Sequence, residues 1–150
     1  TLSSSSAASD VYKRQALASS PLFDDDMCLI VRRGVDVADG VDLGAMALRL
    51  VGFPPHYALR KMIHSAGLQP EFVAEAETID AMLKLVSSGV GACILPSRIP
   101  EKLLADYELR KVAIASPVLR RRVVAITPAQ RRPLPLVGEL LDCARRIARG

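Results

Sequence analysis

The sequence predicts an α/β protein with mainly parallel sheets, and three observations support this fold class. Of the 150 residues, 50% are hydrophobic and 24% are charged, a balance typical of a folded domain and not of a disordered chain. Short apolar runs bounded by turn residues predict buried strands. Segments with apolar residues at helical spacing separate these runs, and such alternation is typical of βαβ units, whose strands pair in parallel.

The first predicted elements are two strands and one helix. The run MCLIV at Met27–Val31 is apolar and fenced by charged residues, which predicts a buried strand. The run AMALRLVGF over residues 45–53 predicts a second strand. Pro54 and Pro55 then favour a helix start, because proline is tolerated in the first turn, where its missing N–H would be unpaired anyway. We expect that helix over residues 57–66.

The same unit is predicted to repeat further along the chain. A short strand over residues 71–74 precedes Thr78, which has the residue type of a helix N-cap. Apolar residues at helical spacing predict a helix over 79–86, and Gly91–Leu95 predicts the next buried strand. The later predicted elements are a short helix at 100–106, strands at 109–115 and 122–127, and an amphipathic helix at 134–149.

Composition and charge limit the class of protein. No apolar stretch approaches the roughly 18 residues needed to span a bilayer, so we expect a soluble protein. The net charge is +4, and basic residues are concentrated from Arg120 onward. A basic tail could contact nucleic acid, but it contains no aromatic residue, so a solvated face is the preferred interpretation. Cys28, Cys93 and Cys143 lie far apart among apolar neighbours and are predicted to be buried, reduced thiols of a cytoplasmic protein.

The first fifteen residues differ from the rest of the chain. Residues 1–15 are Ser-rich and aperiodic, and Ser5–Gln15 can be encoded by a DNA sequence that resembles a common sequencing adapter. A secretory signal is the alternative, but no apolar segment of about 7 to 15 residues follows Lys13 and Arg14. We therefore interpret residues 1–15 as a non-native tail and expect the native protein to continue upstream of Ala16.

Catalytic and metal-binding signatures are scarce. His56 and His64 are eight residues apart on a predicted helix, not at the i, i+4 spacing that places two ligands on one metal ion. The pair Gly89 and Gly91 lacks the third glycine of a dinucleotide-binding loop and precedes a strand instead of a helix. The sequence predicts no metal site, no cofactor and no enzymatic activity.

The predicted strand ends suggest a ligand site. In open α/β sheets, ligands bind beyond the carboxyl ends of strands, where helix N-termini offer unpaired N–H groups and a partial positive charge. Two such places are residues 52–57 and 75–79, with side-chain donors on His56, Tyr57 and Thr78. They could hold a small organic anion; the alternative is that the prolines only fix a turn and Thr78 only caps a helix. Adjacent parallel strands would bring both helix starts to one edge.

The order of these segments resembles a known family. PLFDDDMCLIV, LRLVGFPPHYALRKMI and GLQPEFVAEAETIDAMLKLVSSGVGACILP, followed by an Arg-containing strand and a terminal helix, resemble the effector-binding domain of LysR-type transcriptional regulators. The most specific part is residues 75–96: an acidic residue closing a strand, a Thr opening a helix, and a hydrophobic-Val-x-x-Gly-x-Gly-hydrophobic-Pro ending. The resemblance covers residues 16–150.

The resemblance implies a fold like that of the type 2 periplasmic binding proteins, with two α/β lobes and an inducer in the cleft between them. Residues 16–33 would belong to the first lobe and a crossing strand, 34–115 would form the second lobe, and 116–150 would be the return strand and closing helix of a first lobe that is incomplete here. The effector-binding residues would be Gly52, Phe53, Pro54, Pro55, His56, Tyr57, Thr78 and, near the hinge, Ser97.

The same resemblance implies a function. The chain would be the small-molecule sensor of a bacterial cytoplasmic regulator that binds DNA through an N-terminal winged helix-turn-helix and assembles as a homo-oligomer. Neither a cofactor nor a membrane is expected among its partners. A solute-binding protein of a transport system has the same fold and is the alternative, and an enzyme on this fold would need catalytic residues outside the chain.

Overall fold

The structure, a computed structural model, describes residues 16–129, 132 and 134–150, so the predicted non-native tail lies outside it. The described residues form seven strands, a short 3-10 helix at Leu43–Ala45 and four α-helices. The strands are β1 (Leu17–Arg32), β2 (Val41–Asp42), β3 (Arg49–Gly52), β4 (Glu71–Glu75), β5 (Cys93–Pro96), β6 (Leu109–Ser116) and β7 (Arg120–Pro128). The helices are α1 (Ala58–Ser65), α2 (Ile79–Ser87), α3 (Glu101–Asp106) and α4 (Pro135–Arg149).

The chain divides into two compact units. The larger unit is Asp25–Arg121, and the smaller unit combines the residues up to Asp24 with Arg122–Gly150. The interpretation of residues 34–115 as a second lobe, with 16–33 and 116–150 in the first, stays a prediction. Among the described residues, no helix combines the length and the apolar character that crossing a membrane requires.

The centre of the larger unit is β1, whose predicted segment Met27–Val31 is at most 4% exposed. Successive side chains of a strand point to opposite faces of the sheet. Accordingly, Cys28 and Ile30 belong to one apolar cluster, and Met27, Leu29 and Val31 belong to another. Helix α2 covers the first face and α1 the second. Apolar residues at every position of this run therefore reflect a strand buried on both sides.

The sheets are mixed, and this corrects the expectation of mainly parallel pairing. Strands β3 and β4 pair in parallel, and so do β2 and β6. Strand β1, however, pairs antiparallel with both β5 and β6. The prediction assumed that every strand is followed by a crossover helix, which returns the chain in the same direction. A turn-rich segment without an α-helix follows β1, so that rule does not fix its direction.

The predicted strand over residues 45–53 is too long at its start. Leu43–Ala45 forms the 3-10 helix, because the Asp42 carboxylate accepts a hydrogen bond of 2.9 Å from the N–H of Gly44. Strand β3 begins only at Arg49. Met46 and Leu48 still pack against the core although they precede the strand, so an apolar run alone could not locate its first residue.

Strand β1 also extends well before its predicted start, through an acidic run. The run contains three carboxylates, and each forms a salt bridge with an arginine near the start of β7. The pairs are Asp24 with Arg122 at 2.8 Å, Asp25 with Arg121 at 3.0 Å and Asp26 with Arg120 at 2.6 Å. These three arginines belong to the group of basic residues that is concentrated from Arg120 onward. The observation favours a structural role for those arginines over nucleic-acid contact.

The smaller unit contains α4 and most of β7. The predicted amphipathic helix is confirmed, and Arg145 of α4 donates hydrogen bonds to Ser20 and to the carbonyl of Pro21 in β1. Its apolar stripe is open to solvent, since the exposed fractions of Leu136, Leu140 and Ile147 lie between 68% and 75%.

Candidate functional site

The carboxyl ends of β3 and β4 lie side by side in the larger unit. Gly52, the last residue of β3, stands opposite Glu75, the last residue of β4. The N–H of Ala76 donates a 2.9 Å hydrogen bond to the carbonyl of Gly52, which continues the pairing beyond the strand. Both chains then turn into helices, α1 and α2. The two helix starts nominated from the sequence therefore follow neighbouring strand ends at one edge of the sheet.

Gly52 is required by the close packing at this edge. A Cβ atom on it would lie 2.7 Å from two ring atoms of Phe72 and 3.2 Å from Nη1 of Arg60. A contact of 2.7 Å is closer than carbon atoms can approach without displacing the ring. The packing of Phe72 and Arg60 against β3 thus leaves no room for a side chain at position 52.

The segment from Phe53 to Tyr57 forms a turn held by aromatic packing. The N–H of Tyr57 donates a 3.0 Å hydrogen bond to the carbonyl of Pro54. The rings of Phe53 and Tyr57 stack with centroids 5.3 Å apart, and His56 meets the Tyr57 ring edge-on at 4.8 Å. Tyr57 is the N-cap residue of α1 but provides no side-chain cap. The first N–H groups of α1 therefore depend on solvent or a ligand for acceptors.

Arg60 is a residue that sequence reasoning missed. Its Nη1 donates to the carbonyl of Phe53 at 2.8 Å and lies 3.4 Å from Oε1 of Glu75. Its guanidinium also sits over the ring of Phe72, 3.3 Å from the centroid. The Arg60 side chain is 15% exposed, so it links the turn before α1 to the end of β4 from a largely buried position. In the sequence, the only sign of this role is that an arginine stands in the first turn of a helix that follows a proline turn.

Thr78 is the N-cap of α2, as predicted. Its Oγ1 accepts a 3.2 Å hydrogen bond from the N–H of Ala81, and its residue is exposed. Because a hydroxyl can accept and donate at once, the Thr78 proton stays available for an acceptor outside the helix. The N–H groups of Ile79 and Asp80 belong to the first turn, where the helix itself provides no acceptor. Capping and ligand binding are therefore compatible at this residue.

An acidic residue in the first turn of α2 would oppose an anion unless it were neutralised. The Asp80 carboxylate accepts a hydrogen bond from the Tyr107 hydroxyl and lies 2.9 Å from Nζ of Lys84. These hydrogen bonds, with Tyr107 first and Lys84 second, lower the pKa of Asp80 from its ordinary value. The negative charge of Asp80 is thus balanced by Lys84 on α2 and stabilised by the hydroxyl of Tyr107, which follows α3.

Ser97 lies at the same edge but has different neighbours. The segment leading into β5 is parallel to β3, through the bridge between Leu50 and Ala92, so β5 also ends at this edge. The N–H of Ser97 donates to the carbonyl of Asp26 at 2.8 Å, and the Ser97 carbonyl accepts from Nζ of Lys111 at 2.8 Å. A cavity of about 300 Å³ is lined by Ser97, but its lining does not include Gly52 or Thr78.

Asp25 is a second residue that the sequence did not single out. It is the buried charged residue of the larger unit, at 3% exposure, and its carboxylate pairs with Arg121 at 3.0 Å and with Arg98 at 3.9 Å. A buried carboxylate requires such partners. Arg98 follows Ser97 directly, so this pairing fixes the chain at the end of β5.

The described residues contain no cluster of three or more His, Cys, Asp or Glu side chains suited to a metal ion. Cys28 and Cys93 are buried, as predicted, whereas Cys143 is only half-buried on α4, which corrects its expected burial. Burial raises the pKa of both Cys28 and Cys93 above the ordinary thiol value, most strongly for Cys93.

We expect one fast-reacting and two protected thiols in the native chain. A raised pKa leaves little thiolate near pH 8, and the thiolate is the form that attacks a disulfide reagent. Burial also blocks the reagent from Cys28 and Cys93. Titration with Ellman's reagent should show Cys143 reacting first and the other two only after urea is added. Rapid modification of all three in the absence of urea would contradict the described packing.

Comparison with known proteins identifies the family. The sequence matches the family described as "LysR substrate binding domain" over residues 8–149. The chain belongs to the LysR substrate-binding domain family. The resemblance inferred from the strand–helix order and from residues 75–96 is thereby confirmed.

Two curated relatives of this LysR domain are transcriptional regulators. The malonate utilization transcriptional regulator of Klebsiella pneumoniae is 32% identical over 151 residues, covering 92% of this chain and 48% of that protein. The transcriptional dual regulator GltC of Bacillus subtilis (strain 168) is 32% identical over 101 residues, covering 63% of this chain and 32% of that protein. The chain therefore spans about half the length of the first relative and about a third of the second.

Solved structures show the same fold. The effector binding domain of QuiR in complex with shikimate superimposes with a TM-score of 0.72 at 24% identity, covering 89% of this chain and 66% of that one. The Synechocystis PCC6803 CcmR regulatory domain in complex with 2-PG gives a TM-score of 0.71 at 16% identity, covering 92% and 70%. The cofactor-binding domain of the Cbl transcriptional regulator gives 0.74 at 17% identity, covering 89% and 60%. The LysR domain therefore has the periplasmic-binding-protein-like fold that the resemblance implied.

Proposed function

We propose that this chain is the sensor domain of a cytoplasmic LysR-type transcriptional regulator and that it binds a small organic anion without catalysing a reaction. The proposed binding surface is the strand-end edge of the larger unit, formed by Gly52–Tyr57, Thr78 and Ser97. The observation that carries the proposal is the pairing of Gly52 with Glu75, which places two helix starts next to each other. Unpaired N–H groups and the positive ends of two helices favour an anion there.

Hydrogen-bond donors and electrostatics at this edge support an anionic ligand. The Thr78 hydroxyl can donate while it caps α2. The acidic side chains Glu75 and Asp80 each have a cationic partner, Arg60 and Lys84. Among the structural relatives, the QuiR domain is in complex with shikimate, which is a carboxylate. The relatives named for transcriptional regulation favour a regulator over the solute-binding protein of a transport system.

The proposed mechanism is a shift between conformations of the whole regulator. A ligand that binds one conformation more tightly raises its population, and the shift cannot exceed the ligand's difference in affinity for the two states. In the complete protein we propose that this change moves N-terminal winged helix-turn-helix domains of a homo-oligomer. Their altered spacing would change operator contacts or DNA bending.

We expect Thr78→Ala to weaken ligand binding about tenfold, because a hydroxyl donor to a charged ligand and a helix cap are both lost. Isothermal titration calorimetry with shikimate and malonate as first probes measures the affinity. Thr78→Ser keeps the hydroxyl and is the matched control, so its affinity should stay within about twofold of the original.

The same substitutions in the complete regulator test the regulatory role. Thr78→Ala should reduce the effect of the ligand on operator binding but leave operator affinity without ligand unchanged. Loss of operator affinity in the absence of ligand, measured by fluorescence anisotropy, would contradict the assignment of Thr78 to the effector site.

A further inference from the structure

A second cavity opens at the other end of the strands of the larger unit, where β3 begins. Its volume is about 390 Å³, which falls within the range of small-molecule sites. The wall is mostly apolar and includes Leu29, Val31, Val37, Met46, Leu48 and Ala92. Because Arg49 begins β3 and Gly52 ends it, this cavity is separate from the edge proposed for the effector.

The charged residues in the lining are both cationic. Arg32 and Arg49 line the cavity, and none of the described residues in its lining is a carboxylate. Nε of Arg49 lies 3.3 Å from Glu71, in a pair whose side chains are both more than half exposed and therefore weakly coupled. Arg32 forms no ion pair with any other residue that the structure describes. Its guanidinium is a cation without a carboxylate partner beside an apolar wall.

Two glycines border the cavity, and one of them lies next to the Arg32 side chain. A Cβ atom on Gly89 would collide with Nη1 of Arg32, so the guanidinium lies directly against the Gly89 backbone. Gly89 has φ +89°, a conformation that glycine adopts most easily. A Cβ atom on Gly91 would lie 2.9 Å from the carbonyl oxygen of Arg49, so the chain at Gly91 approaches β3 closely. The backbone at Gly89 and Gly91 therefore bounds the cavity, and Arg32 lies at its rim.

We propose that this cavity is a second ligand site, which takes a small amphipathic carboxylic acid. The hydrocarbon part of the acid packs against Leu29, Met46 and Leu48, and its carboxylate pairs with Arg32. An apolar wall with a few polar groups at its rim is the usual composition of a small-molecule site. The cationic rim selects a carboxylate over a neutral or cationic head group.

Methionine methyl NMR can report on this cavity directly. Met46 lines the cavity, whereas Met82 is fully buried in the apolar cluster on the other face and is the internal reference. We would titrate the full chain, labelled with ¹³C at the methionine methyl groups, with octanoate. The expected result is a saturable shift of the Met46 resonance with no shift of Met82. An unmoved Met46 resonance at millimolar octanoate would overturn the proposal.

Substitutions at two neighbouring arginines distinguish a specific ion pair with the ligand from a general effect of positive charge. Arg32→Ala should weaken octanoate binding about fivefold, since the charge-assisted contact is lost at a partly exposed position. Arg33→Ala removes the same charge one residue later, outside the lining of this cavity, and should leave the affinity unchanged. Equal loss in both variants, or no loss in Arg32→Ala, would contradict the role of Arg32.

A blocking variant tests the location. Ala47 is exposed and belongs to the lining, so Ala47→Phe should abolish the Met46 shift without disturbing the core. An unchanged Met82 resonance confirms that each variant is folded. Persistence of the Met46 shift in folded Ala47→Phe would overturn the proposed site. None of these outcomes depends on the effector site at Gly52 and Thr78.

Discussion

Gly52→Val is expected to lower the free energy of unfolding by about 1 to 3 kcal/mol and to abolish the response to the effector. The valine Cβ would lie 2.7 Å from ring atoms of Phe72, so the ring must move. Moving Phe72 also disturbs the Arg60 guanidinium that lies 3.3 Å from its centroid. Both the packing between β3 and β4 and the turn that opens α1 are affected.

Urea unfolding and calorimetric titration measure the two effects of Gly52→Val. Gly34→Val is the control, because apart from its own chain neighbours no described residue has an atom within 4 Å of a Cβ on Gly34. We expect the control to bind ligand normally. Normal ligand binding by Gly52→Val would show that the strand-end edge is not the effector site.

Leu83→Ala is expected to destabilise the larger unit by about 2 to 5 kcal/mol. Leu83 on α2 is fully buried in the apolar cluster that also contains Cys28, Ile30 and Leu95. Removing its methyl groups loses the hydrophobic contribution and leaves a cavity that neighbouring side chains fill only in part. The loss should lower the urea concentration at the midpoint of unfolding.

A matched substitution shows whether burial is the cause. Val118 lies in the same unit and is 76% exposed, so Val118→Ala should change the free energy of unfolding by no more than about 0.5 kcal/mol. A loss below about 1 kcal/mol for Leu83→Ala would contradict the described position of α2 on the sheet.

Much of the fold follows from local sequence signals. The run Met27–Val31, the N-cap Thr78 and the proline turn before α1 each determine their structure through nearest neighbours in the chain. Apolar runs and caps depend on interactions within a few residues, so they are visible in the sequence. The family resemblance was recognised from the order of the same elements and is confirmed by the match over residues 8–149.

The features that sequence reasoning missed depend on distant partners. The acidic run at Asp24–Asp26 serves in the sequence only as a boundary of the predicted buried strand, yet this run continues β1, and its carboxylates pair with arginines of β7. Arg60 becomes part of the site only through Glu75 and Phe72, on a strand that follows it. The antiparallel direction of β1 is likewise set by its tertiary neighbours.

We propose above all that an anionic effector binds against the starts of α1 and α2 at one edge of the sheet. The most direct measurement is a ¹H–¹⁵N NMR titration of the chain with small carboxylates, beginning with shikimate and malonate. For a small hydrophilic acid of this kind that binds saturably, we expect the largest shifts at the amides of Ala58, Leu59, Ile79 and Asp80. Saturable binding that leaves these four amides unmoved and shifts others would contradict the claim.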